Sequence, residues 1–149
     1  MNRSTLDLLA IGLFFTLTSE KCEKAAQANT GDQPSVDVST IPGAQWSLAT
    51  IAGEAIRLPE GATDPFISFD TVGNLTGFGG CNKLMGSVKL DGASLSFPGL
   101  GSTKKFCDGT QDLESSFMSA LRATNSYKLK GNTLTLLDKS KELATLVKQ

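Results

Sequence analysis

The sequence predicts an α+β domain: a mostly antiparallel curled sheet, or open (cracked) β-barrel, packed on one helix over about residues 109–123. Three observations predict it. Short runs of period-two alternation recur between Trp46 and Val147, each closed by Gly, Asn or Asp. One stretch alone switches to helical spacing, with Leu113, Phe117, Ala120 and Leu121 at i, i+4, i+7 and i+8. Glycine and cysteine crowd the segment 75–87, and glycine inside a strand pattern marks a bulge, a bend or a close backbone approach.

Taken in order, Trp46-Ser47-Leu48-Ala49-Thr50-Ile51 alternates as a first strand, and Ala55-Ile56-Arg57-Leu58 follows a Gly53-Glu54 turn. Asp64-Pro65 breaks the chain. Phe66 to Asp70 and Leu75 to Phe78 then form a hairpin about Val72-Gly73-Asn74. After the Gly79-Gly80 bend, Asn82 to Leu90 reads as one strand. It meets Asp91-Gly92, a strong two-residue hairpin signal, and returns as Ala93 to Phe97. Asp108 stands as N-cap with Gln111 three positions on, a capping box; Glu114, Ser115, Ser116 and Arg122 fall on the polar side of the helix. Tyr127 to Lys130, Leu134 to Leu137 and Leu143 to Val147 close the chain as a meander with one wet face.

The N-terminus is expected to be an export signal over 1–28, with a positive start at Met1-Asn2-Arg3 and an apolar run from Leu8 to Leu17. That run is too short to span a membrane, which takes about 20 apolar residues. Two processing routes stay open. Cys22 stands where a lipoprotein carries its lipid anchor, although Lys21 before it is a poor fit; Ala26-Gln27-Ala28 offers an ordinary cleavage pattern. Residues 29–44 are polar, with Gly and Pro, and read as a flexible tether to a domain over 45–149.

Composition narrows the function. The 149 residues carry 14 basic and 15 acidic side chains with no block of either sign, which argues against nucleic acid and limits membrane association to an N-terminal lipid anchor. There is no histidine, which removes His-activated nucleophiles, His-ligated zinc and the commonest general base. Gly77-Phe78-Gly79-Gly80 resembles a phosphate loop only superficially, because neither a helix nor Lys-Ser/Thr follows it. Cys81 and Cys107 are the two thiols of the domain. An oxidising envelope favours a disulfide between them, with two buried thiols or a redox pair as the alternatives; two cysteines without further soft ligands cannot hold a metal. Asn82, just after a bend, has an amide suited to tying off loop backbone groups.

Trp46, Phe69-Asp70, Leu75-Thr76-Gly77, the run Gly80-Cys81-Asn82-Lys83-Leu84-Met85-Gly86 and the later Thr103-Lys104-Lys105-Phe106-Cys107 together make the chain resemble the META/HslJ domain family over about residues 45–148. The resemblance makes Trp46, Gly77, Gly80, Asn82, Gly86 and Thr103 structural motif positions. It implies a small bacterial envelope protein, often a lipoprotein, linked to heat shock and novobiocin tolerance, with no established enzymatic activity. It also implies a fold similar to secretin-pilot lipoproteins, which hold lipid in a cracked barrel. The chain departs from the family at Lys104-Lys105-Phe106, where a Met or small residue often precedes the cysteine, and in its weak lipobox.

The expectation is therefore a non-catalytic, cofactor-free monomer, exported to the periplasm or anchored at the outer membrane, that supports stress tolerance or envelope assembly through contacts with an envelope protein. The alternative is a carrier of a lipid or small hydrophobic ligand. The first expects a filled core and the second an apolar cavity. An enzyme ranks a distant third.

Overall fold

A computed structural model of the chain describes residues 38–149. The expected export signal, Cys22 and residues 29–37 of the expected tether lie outside them. The strands are β1 (Gln45–Ile51), β2 (Glu54–Ala55), β3 (Phe66–Phe69), β4 (Asn74–Phe78), β5 (Lys83–Ser87), β6 (Lys89–Asp91), β7 (Ser94–Ser96) and β8 (Gly101–Ser102). The helix α1 (Gln111–Ala123) follows, and then β9 (Ser126–Lys130), β10 (Thr133–Asp138) and β11 (Lys141–Lys148). All pairings are antiparallel, in one sheet ordered β6-β7-β9-β10-β11-β1-β3-β4-β5-β8, with β2 paired to β1.

That order requires a curl. β5 and β6 lie near opposite ends of the sheet, yet only Val88 separates them in the chain. The sheet therefore bends round until its ends meet, which is the curled, open barrel expected from the sequence. The stretch read as one strand from Asn82 to Leu90 is divided at this seam. Its first half pairs with β4, its second with β7, and the Val88 N–H bonds to the Gly73 carbonyl at 2.8 Å.

Inside the curl, Trp46, Ile67, Phe69, Leu75, Leu95, Leu134, Leu136 and Leu146 are fully buried, with Phe117 and Leu121 of α1 packed among them. Packing also reaches upstream of Gln45. Val38–Thr40 forms a 3-10 turn, Ile41 is wholly buried, and its carbonyl accepts the Trp46 indole N–H at 3.0 Å. The strand expected over 55–58 ends at Ala55, just ahead of Pro59. At Gly77 a Cβ would collide with the Phe66 carbonyl oxygen, so only glycine lets β4 lie this close to β3.

The helix differs from expectation in two ways. Its N-cap is Thr110, not Asp108, because Gly109 adopts φ +79°, a left-handed conformation that a helix cannot contain. The capping box does not form, and no side chain caps the first turn. Glu114, expected on the polar side, is buried. Among the described residues no helix is long and apolar enough to cross a membrane.

Candidate functional site

The motif residues converge behind the Gly79-Gly80 bend. Gly80 holds φ +116°, which turns the backbone so that the N–H groups of Cys81 and Asn82 point together at α1. Both reach Glu114 Oε2, at 3.0 and 2.6 Å, and Asn82 Nδ2 donates to Glu114 Oε1 at 2.6 Å. A Cβ on Gly79 would stand 2.7 Å from the Glu114 carboxylate, so glycine there makes room for the acid. With three N–H donors, this carboxylate is satisfied without a cation beside it.

Asn82 also ties the bend to the 103–107 segment. Its Oδ1 accepts from Thr103 Oγ1 at 2.8 Å and from the Lys105 N–H at 2.7 Å, while Nδ2 donates to the Lys105 carbonyl at 3.1 Å. An Asn side chain has two donors and two acceptor lone pairs, and all four are used. It has no capacity left for a ligand. Next to this knot, Cys81 and Cys107 (two residues beyond Lys105) are joined at an S–S distance of 2.01 Å, the pairing favoured by the sequence.

The structure thus brings Gly80, Cys81 and Asn82, which are buried, together with the half-buried Thr103 and Cys107. Gly77 lies just upstream, against β3. Trp46 packs elsewhere in the core, and Gly86 lies under Leu100, whose Cα would be 3.1 Å from a Cβ there. Glu114 is the member that sequence reasoning missed. Its signal was present: positions 114, 117, 118 and 121 share one helix face, and Phe117, Met118 and Leu121 are all buried.

A second feature lies at the seam. A cleft of about 420 Å³ opens between the β3–β4 turn and β6, walled by Pro42, Phe69, Val72, Val88 and Leu90 and rimmed by Asp70, Lys89 and Asp91. Asp70 builds one wall. Its Oδ1 accepts from the N–H groups of Val72 and Asn74 at 3.0 and 2.8 Å, and its Oδ2 from Asn74 Nδ2 at 2.8 Å. The Asn74 backbone and side-chain bonds, ahead of those from Val72 and Gly73, hold its carboxyl below the usual carboxylate range.

A folded-state value below the unfolded one means that Asp70 stabilises the fold fully above the ordinary carboxylate range. The contribution is lost as pH falls through the depressed value. The melting-temperature gap between wild type and Asp70→Ala is therefore expected to be constant near neutral pH and to close in acid. A gap that widens on acidification would contradict this assignment.

The whole is a small open-barrel domain whose polar knot ties the 80–82 bend to α1 and to the 103–105 segment. The model of the META domain matches residues 39–149, and the chain belongs to the META domain family. No curated protein matches. Among solved structures, a protein from Burkholderia xenovorans studied by NMR is 26% identical, with 74% of this chain and 85% of that one covered at a TM-score of 0.59. A second NMR structure is 23% identical, covering 73% of this chain and 92% of that one at TM-score 0.59. The crystal structure of a DUF4847 family protein from Bacteroides vulgatus is 17% identical, covering 74% and 94% at TM-score 0.53; the last two likenesses are of fold alone.

Proposed function

We propose that the chain is a non-catalytic domain of the cell envelope that supports stress tolerance or envelope assembly through contacts with another protein. The observation that carries this reading is the filled interior. The space in which a pilot-like carrier would hold lipid is taken up by Trp46, Phe69, Phe117 and the leucines around them. The polar groups of the knot are spent on one another. What is left to engage a partner is on the surface, where Val72 and Phe106 are each 81% exposed. An exported location agrees with the Cys81–Cys107 bond, which an oxidising compartment would maintain.

The test is photo-crosslinking in the native host, with a photoreactive residue placed at Val72 or at Phe106, together with deletion of the gene. A discrete adduct to one envelope protein is expected, along with growth loss of the deletion strain under heat or novobiocin. No adduct at either position, combined with stoichiometric lipid on the purified protein, would replace this reading with the carrier.

A further inference from the structure

The cleft beside the seam contains an unpaired piece of sheet edge. Asp91 and Ser94 close a two-residue turn at Gly92-Ala93, so they exchange both ladder bonds. Bonded and non-bonded pairs alternate along an antiparallel ladder, so Lys89 and Ser96 also exchange bonds, and the Leu90 N–H and C=O point away from β7. Two residues back, the Val88 N–H points the same way and reaches the Gly73 carbonyl. At that point the β3–β4 hairpin turns back, and the strand overhangs it. No described residue pairs with the Leu90 N–H or C=O.

Hydrogen bonds brace the turns on both sides of this edge. The opposite wall is the Asp70-braced turn carrying Val72, whose side chain is 81% exposed. The tip of the β6–β7 hairpin is held by the Tyr127 hydroxyl, which donates to the Gly92 carbonyl at 2.9 Å.

We propose that the β6 edge at Leu90 is a docking site for one extended peptide segment of a partner protein, added as a strand across the cleft. The proposal rests on the protein-contact reading and gives it a place. Backbone bonds to Leu90 would set the register. The peptide residue facing Leu90 is apolar and enters the cleft toward Phe69 and Val72. Lys89 and Asp91 alternate with Leu90 and share the opposite face, so charge complementarity places an acidic residue beside Lys89 and a basic one beside Asp91. The partner strand therefore carries one apolar residue flanked by an acidic neighbour on the Lys89 side and a basic neighbour on the Asp91 side; added antiparallel, like every other pairing of the sheet, it reads basic–apolar–acidic.

The probe is a phage-displayed library of random ten-residue peptides selected on the full chain. Enrichment of sequences with an apolar residue between an acidic and a basic one is expected. A selected peptide should slow hydrogen exchange of the Leu90 amide. Val72→Asp should weaken it at least tenfold while thermal unfolding stays the same, and the paired exchange Lys89→Glu with Asp91→Lys should reverse the preferred charge order.

The proposal is overturned by any of several results: no enrichment; peptides that protect the β8 edge instead; peptides indifferent to Val72→Asp; self-association that Val72→Asp abolishes; or a cleft filled by octanoate or by a synthetic peptide of residues 29–37. A partner crosslinked in cells from Phe106 but never from Val72 would also remove this site while leaving the protein-contact reading intact. Absence of any crosslinked partner removes both.

Discussion

Asn82→Ala is expected to cost about 3–4 kcal/mol, much of the 5–15 kcal/mol that holds a domain of this size together. The substitution deletes four side-chain hydrogen bonds at once. More costly than the lost bonds are the partners they leave behind. The Lys105 N–H and Thr103 Oγ1 lose their acceptor, and the Glu114 carboxylate keeps only the two backbone donors of the bend. A buried carboxylate short of donors is penalised far more than a neutral group. Asn82→Asp should be at least as damaging at neutral pH. It puts an acceptor oxygen where Nδ2 now meets the Lys105 carbonyl and the Glu114 carboxylate. Urea unfolding followed through Trp46, the one tryptophan of the chain, measures both variants. A loss below about 1 kcal/mol for Asn82→Ala would mean that water replaces the amide and that the knot does not hold the fold together.

Much of this arrangement was legible before any coordinates. Period-two alternation placed the meander of β9 to β11, and Asp91-Gly92 marked the β6–β7 hairpin, because both are local properties of the chain; the loop itself falls one residue on, at Gly92-Ala93, because Asp91 pairs with Ser94. The Cys81–Cys107 disulfide was favoured over two buried thiols or a redox pair by the thiol count and the expected oxidising envelope, and the bond is present. Glu114 was not found, because an acidic residue on an amphipathic helix is ordinarily solvated and its partners lie 32 and 33 residues upstream. Including Met118 in the apolar stripe would have put Glu114 on the buried face. The seam at Val88 was invisible for another reason. Alternation continues unbroken through it, and only the closure of the whole sheet decides that the strand changes partners there. The helix start was misplaced by a local competitor, Gly109, whose left-handed conformation moves the cap two residues on.

Removing the disulfide with Cys81→Ala and Cys107→Ala is expected to cost about 3 kcal/mol, mainly through the unfolded state. The bond closes a loop across a sequence separation of 26, and without it the denatured chain gains the freedom of that loop. The folded state should change little, since Asn82 fastens the same two segments through Thr103 and Lys105 without help from sulfur. That separation gives the prediction two readouts. The urea midpoint should fall, and the denaturant slope should rise, because an unclosed chain exposes more surface on unfolding. Reductant added to wild type should reproduce both effects. If the midpoint falls while the slope stays fixed, the cost lies in the folded state, and the bond would be shaping the bend rather than limiting the unfolded chain. Adding Asn82→Ala to the variant without the disulfide removes the second fastening of the 103–107 segment. The losses should then exceed their sum, because each fastening holds the segment in place for the other.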